Sequence, residues 1–201
     1  MEEVTLYIIN IELGIKHKDY LFETVKEEQR KKALFYKNEL DQVRSLLSSF
    51  LLNRLSKENI KKGETGKPYL ENGPYFNISH ADQYVVMAVS KKEIGIDIEG
   101  IKEKDMTILS RIFNEAEAKM LKDHADFYFL WCAKESLIKC MGSSINKIKE
   151  VPSLPLNGLK TYKSKDYQVK TFIYDKHVIS ITRESNIDFL IKKEIVKSLS
   201  R

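Results

Sequence analysis

In the stretch EIGIDIEG, residues 93–100, isoleucine recurs at every second position: Ile94, Ile96 and Ile98, with Gly95, Asp97 and Glu99 between them. A period of two belongs to an extended strand, whose successive side chains point to opposite faces. One face is therefore apolar. The other carries a glycine and two acids roughly 6.5 Å apart. Carboxylates that close repel unless water, a cation or a proton intervenes. The chain must cover the first face with a core and find something to balance the charge on the second.

The apolar runs around this strand suggest how. VTLYIINIEL reads as an opening strand, EEQRKKALFYKN as a short helix, and residues 40–55 as a longer helix at 3.6 spacing. KKGETGKPYLENGPYF, with three glycines and two prolines in sixteen residues, reads as loop. YVVMAVS and IGIDIE flank a three-residue charged turn and read as a hairpin. A polar helix pair follows, TILSRIF and then NEAEAKMLKD. DFYFLWCAKESLIKCMG is a long helix ended by Gly142, VPSLPLNG is loop, and QVKTFIYD, KHVISITR and NIDFLIKKEI are strands. The order helix, then hairpin occurs twice, and HVISITRESNIDFLI has the layout of YVVMAVSKKEIGIDI. Two similar α+β halves are expected. The second copy carries Ile187, Asp188 and Phe189 but no G-x-D-x-E face, so hairpin architecture does not demand the acids.

At 201 residues the chain can bury a substantial core. No run approaches the ~18 apolar residues of a membrane span, and acids rather than a basic leader follow Met1. Cys132 and Cys140 on one helix would lie about 12 Å apart, too far for a disulfide, so the cytoplasm is the expected compartment. Residues 160–201 hold ten Lys/Arg against five Asp/Glu, which accounts for the whole net charge of +5. Such a tail suits a nucleic acid, an acidic protein partner or a solvated lysine face. No RNA-binding aromatic motif, zinc spacing or helix-turn-helix signal sharpens the first of these.

On the helix FYFLWCAKESLIKCMG, Leu130, Leu137 and Met141 form a core stripe flanked by Phe127, Ala133 and Ile138. Glu135 and Lys139 stand i, i+4 apart on its far edge, as a surface ion pair would. Lys134 falls inside the apolar arc: either it snorkels out or the arc borders a polar cleft. Lys67 lies between Gly66 and Pro68, and Ser79 and His80 end an apolar run. An adjacent Ser-His pair is no hydrolase signature, because that chemistry brings distant positions together.

The blocks GKPYL, PYFNISHADQYVVMAVS, IGIDIE and FLWCAKESLIKCMG occur in this order. Together they resemble the Sfp-type 4'-phosphopantetheinyl transferases, whose pattern runs G-K-P, F-N-I-S-H, G-I/V-D-I/V-E and W-x-x-K-E-S/A-x-x-K. The match spans residues 63–142, with a weaker extension upstream over RKKALFYKNELDQVRS. The resemblance implies an α+β pseudodimer of two similar halves, each a small antiparallel sheet packed on a long helix. Residues 1–100 would carry the D-x-E motif and 101–201 the K-E-x-x-x-K helix, with the active site between.

The implied activity moves the phosphopantetheine arm of coenzyme A onto a serine of an apo carrier protein, releasing 3',5'-ADP. By resemblance, Asp97, Glu99 and Glu135 would hold Mg²⁺, with Mn²⁺ as a substitute. Lys139 would meet the pyrophosphate, and Lys134 would neighbour the metal carboxylates. Lys67, Pro68, Ser79 and His80 would bind coenzyme A, and Arg30, Lys31, Lys32 and Arg44 its 3'-phosphate. Glu117 matches the general base, although a water could take that role. The expected partner is an acidic carrier protein, with no nucleic acid or membrane, and the expected state is a monomer. A coenzyme A- or nucleotide-binding homologue without transfer, or a basic nucleic-acid module, is the alternative. The intact D-x-E and K-E-x-x-x-K sets argue against both.

Overall fold

A computed structural model describes residues 2–103, 112–151, 154, 161–163, 166–185 and 187–199. The opening strand β1 (Glu2–Asn10) leads into helices α1 (Ile11–Lys16), α2 (Lys18–Thr24), α3 (Glu27–Leu34) and α4 (Glu39–Leu55). The stretch expected as loop contains a two-residue ribbon, β2 (Lys61–Lys62) and β3 (Pro68–Tyr69). Then come β4 (Tyr75–Ala81), β5 (Tyr84–Ser90) and β6 (Ile94–Gly100). Helices α5 (Glu115–Met120) and α6 (His124–Met141) precede β7 (Thr161–Lys163), β8 (Tyr167–Tyr174), β9 (His177–Glu184) and β10 (Phe189–Val196). Most of the expected TILSRIF helix and most of VPSLPLNG lie outside the described residues.

The strands form two four-stranded sheets, β10-β1-β5-β4 and β6-β9-β8-β7, with antiparallel pairing throughout except that β10 runs parallel to β1. Both expected hairpins are corrected here. Strands β5 and β6 part at Lys91–Glu93: β5 has both edges taken, by β1 and β4, so β6 crosses over and pairs with β9. Likewise β9 lies between β6 and β8, and β10 returns to β1. Each sheet thus receives a strand from the other half of the chain. Tight hairpins form instead at β4–β5 and at β8–β9, whose turn residues Asp175 and Lys176 have φ of 43° and 60°, as a two-residue primed turn requires.

The layering explains the alternation in β6. Ile94, Ile96 and Ile98 meet Val4, Leu6, Ile8, Val86 and Ala88 in a core between the sheets. Outside the first sheet, α4 buries Val43, Leu46, Leu47, Phe50 and Leu51 against Ile9, Val85 and Met87. Outside the second, α6 covers the other face of β6 and β9. There Ser136 Oγ meets Ser180 Oγ at 3.0 Å and Thr182 Oγ1 at 2.7 Å, so the hydroxyls of β9 are paired beneath the helix. Gly142, in the left-handed region at φ 62°, caps α6 as expected. Met141 departs from the expected core stripe and is 46% exposed, because Leu137, Ile138 and Cys140 take the buried side of the last turn. Cys132 and Cys140 are buried free thiols.

Gly95 sets the distance between β6 and α6. A Cβ there would stand 2.0 Å from Ser136 O and 2.4 Å from Cys140 N, both helix backbone that no rotamer can move. Gly95→Ala is therefore expected to cost at least about 3 kcal/mol, an overpacking penalty. For a chain of this size that is a fall of roughly 6–12 °C in melting temperature. Differential scanning calorimetry checks it; an unchanged transition would show that α6 can lift off freely.

Candidate active site

The edge strands of the two sheets meet along a seam. On β4, Asn77 Oδ1 accepts the Ile96 N–H of β6 at 3.0 Å, a side chain standing in for a ladder bond. Two residues on, Ser79 Oγ donates to Asp97 Oδ1 at 3.0 Å. From α6, Lys139 Nζ donates to the same Asp97 oxygen at 2.6 Å and to Ser79 Oγ at 3.2 Å. It also lies 3.3 Å from Glu135 Oε2. One turn earlier, Trp131 Nε1 donates to Glu99 Oε1 at 3.2 Å. Asp97 and Glu99 alternate with the core isoleucines, so they face α6 rather than open solvent, and Asp97 is only 2% exposed.

The electrostatics follow from this crowding. Burial, then the charge of Asp97, pushes the Glu135 carboxyl up to about 7, with Glu99 adding to the rise and Lys139 opposing it. Burial disfavours the Lys139 ammonium, but the charges of Asp97 and Glu135 outweigh it and raise its pKa. The mutual field of Asp97, Glu99 and Glu135 is that of acids gathered within reach of one another. Among the described residues no three His, Cys, Asp or Glu side chains form a ready metal centre. The donor chemistry nonetheless fits a hard cation: Asp97 Oδ2 is buried with no hydrogen-bond partner, and oxygen-only ligands suit Mg²⁺, which needs few of them.

The remaining expected residues divide. His80 follows Ser79 on β4 with its ring partly open to solvent. Burial of part of it, then the positive charge of Arg44, holds its pKa below the usual range, and Lys139 acts in the same direction. Arg44 on α4 donates from Nη1 to Asp41 at 2.7 Å and from Nη2 to Asp82 O at 2.6 Å. Arg44, His80, Ser79 and Lys139 therefore make one polar strip that carries two cations, Arg44 and Lys139, whose charges both reach His80. Lys67 pairs with Glu93 at 2.6 Å and donates to Cys140 O at 3.0 Å, beside the end of α6. With Pro68, Tyr69, Tyr75 and Phe76 it lines a cavity of about 340 Å³.

On α3, Arg30 stacks over Phe22 at 6.0 Å and Lys31 pairs with Glu27 at 2.8 Å. No hydrogen bond or ion pair among the described residues links these two or Lys32 to the seam. Lys134 does not snorkel: it is fully buried, with Nζ 2.7 and 2.9 Å from the two oxygens of a fully buried Glu117. Glu117 also accepts the Asn114 N–H at 3.1 Å at the start of α5. Trp131 and Asn77 lie within the sequence motifs but have no role legible there. Their signals, an indole N–H one turn before Glu135 and an amide two residues before Ser79, needed the seam to acquire meaning. The basic excess of 160–201 is dispersed: Lys170 pairs with Asp188, Lys192 with Glu194, and Arg183 contacts Glu2.

Comparison with known proteins agrees with this geometry. The sequence profile described as the 4'-phosphopantetheinyl transferase superfamily matches residues 93–182, which hold β6, α6 and β9. The chain is 34% identical over 174 residues to the 4'-phosphopantetheinyl transferase gsp of Aneurinibacillus migulanus, covering 79% of this chain and 69% of that protein. It is 32% identical over 193 residues to a 4'-phosphopantetheinyl transferase of Bacillus subtilis, covering 88% and 83%. With 4'-phosphopantetheinyl transferase Sfp of Bacillus subtilis (strain 168) it shares 33% over 170 residues, covering 76% and 73%. Sequence, fold and the residues of the seam converge, and the chain belongs to the 4'-phosphopantetheinyl transferase superfamily.

Proposed function

We propose that this protein transfers the 4'-phosphopantetheine arm of coenzyme A to a serine hydroxyl of an apo carrier protein, releasing 3',5'-ADP. The observation that carries the reading is the meeting of Asp97, Glu135, Lys139 and Ser79 across the seam. Asp97, Glu99 and Glu135 would hold Mg²⁺, or Mn²⁺ in its place, which neutralises charge growing on the leaving phosphate. In the reaction the serine oxygen bonds to the phosphorus bearing the pantetheine arm, and the pyrophosphate P–O bond breaks. Lys139 Nζ, at the centre of the seam, stabilises the departing phosphate by a charge-assisted hydrogen bond. Ser79 and His80 place the pyrophosphate from the β4 side. Arg44 gives the strip a cation for a further phosphate of the nucleotide, and Lys67 and Pro68 frame the nucleotide in the adjoining cavity. The serine proton would pass to a water, since Glu117 could accept it only by releasing Lys134. The carrier partner fits the net positive charge if it is acidic, with attraction screened over ~8 Å at physiological salt.

The test is mass spectrometry of apo fatty-acid, polyketide and nonribosomal-peptide carrier proteins incubated with the chain, coenzyme A and Mg²⁺. A gain of one phosphopantetheinyl group, abolished by EDTA and restored by Mg²⁺, is expected on at least one of them. Coenzyme A binding without any mass gain on any carrier would leave a nucleotide-binding homologue instead.

A further inference from the structure

Asp97 has an uneven environment for a buried carboxylate. Its Oδ1 accepts two bonds, from Lys139 Nζ at 2.6 Å and from Ser79 Oγ at 3.0 Å, while Oδ2 is buried with none. A buried carboxylate oxygen without a partner costs free energy and calls for an explanation, and a cation that fills it is one. Glu135 Oε2 approaches the same ammonium at 3.3 Å. Lys139 thus sits between two of the three acids expected to hold the divalent ion. Its side chain remains 30% exposed, against 3% for Asp97 and 16% for Glu135. Its Nζ, on a flexible four-carbon stem, can turn outward into the cleft, whereas the two acids are fixed by β6 and α6.

We propose that Lys139 is a built-in counter-ion: it holds Asp97 in the metal-free protein and competes with the divalent cation for that carboxylate. The inference rests on the metal reading of the seam given above. It assigns the lysine two tasks in succession. Without metal, the ammonium limits repulsion among the acids and keeps β4, β6 and α6 together. When the metal takes the carboxylates, the displaced ammonium is free to meet the phosphate that arrives with it. A plain phosphate ligand would not need to contact Asp97 at 2.6 Å, and the unpartnered Oδ2 leaves the carboxylate able to take a second ligand.

The two tasks have opposite consequences for removal of the charge. Lys139→Met should lower transfer yet tighten Mg²⁺ binding to the protein alone, since the metal no longer displaces an ammonium. A partly buried ion pair at this distance corresponds to roughly a tenfold gain in affinity or more. Titration calorimetry of the full chain without coenzyme A, with Mn²⁺ paramagnetic resonance as a second readout, measures it. Lys139→Arg, which keeps the charge, should stay within about threefold of the unaltered chain. Lys67→Met, which removes a cation that contacts Glu93 instead, should do the same. Equal or weaker Mg²⁺ binding in Lys139→Met overturns the proposal, as does equal tightening in Lys67→Met, which would indicate a general field. If neither the unaltered chain nor Lys139→Met binds the ion, even with coenzyme A present, the metal reading falls and the proposal with it.

Discussion

Asp97→Asn is expected to reduce transfer at least about a thousandfold, some 4 kcal/mol of lost transition-state stabilisation, while the protein stays folded. Read from sequence alone, Asp97 is an acid with no neutralising neighbour, and its removal would leave stability unchanged or slightly higher. The structure supplies the neutralising group, Lys139, and the expectation changes accordingly. The asparagine oxygen can still accept from Ser79 and Lys139, and its amide occupies the place of the bare Oδ2, so the cost should remain within about 1 kcal/mol, or 2–4 °C. A second readout is the pH dependence of the metal-free protein. Glu135 titrates at about 7 when folded against 4.5 in its unperturbed state. Its contribution to stability is therefore complete below about pH 4.5 and lost as pH rises towards 7. Burial is the larger cause and the Asp97 charge the second, so Asp97→Asn should narrow that window without closing it. Calorimetric melts from pH 4.5 to 8, run beside the carrier mass assay, test both halves. Undiminished transfer in the variant would remove Asp97 from the chemistry; a melt lowered by more than ~10 °C would make it a structural residue.

Much of this site was legible because its signals are local. The period of two in β6 predicted both a packed face and two acids on the other, and Gly142 marked the end of α6. Lys134 was visible as an anomaly, a cation inside an apolar arc. Its partner was not: Glu117 stands 17 residues earlier on a separate short helix, and nothing local links the two. The failure at β5 and β6 has the same cause. A three-residue charged turn between apolar runs indicates a reversal of direction, not whether the flanking strands pair. That depends on which edges of β5 are already occupied, and the occupants β1 and β4 come from elsewhere in the chain. Gly95 is the clearest case: period two demands only that its side chain be absent from the core face, whereas the approach of α6 demands that it have none. The basic cluster at Arg30–Lys32 is tied to the 3'-phosphate by resemblance alone, and no hydrogen bond or ion pair among the described residues joins α3 to the seam.

Breaking the Lys134–Glu117 pair should produce the largest loss of stability. Both residues are 0% exposed, and Lys134 Nζ reaches both carboxylate oxygens. Lys134→Met leaves a buried charge uncompensated, a cost of about 3–5 kcal/mol, or roughly 6–20 °C of melting temperature at this chain length. Replacing both partners, Lys134→Met with Glu117→Gln, removes the charges together and should recover most of that loss. Glutamine keeps an oxygen for the Asn114 N–H at the start of α5, so the capping arrangement survives. The double variant then separates the two roles open to Glu117. A residue that only fastens α5 to α6 can be neutralised with its partner, and transfer should stay within about tenfold of the unaltered chain. A general base cannot be replaced by an amide, whatever happens to the fold. The pairing with Lys134 favours the first outcome: an acid whose two oxygens are held by one buried ammonium is poorly placed to receive a proton from a hydroxyl arriving on another protein. A double variant that melts like the unaltered chain but has lost transfer by more than about a hundredfold would reverse that conclusion and restore Glu117 to the chemistry.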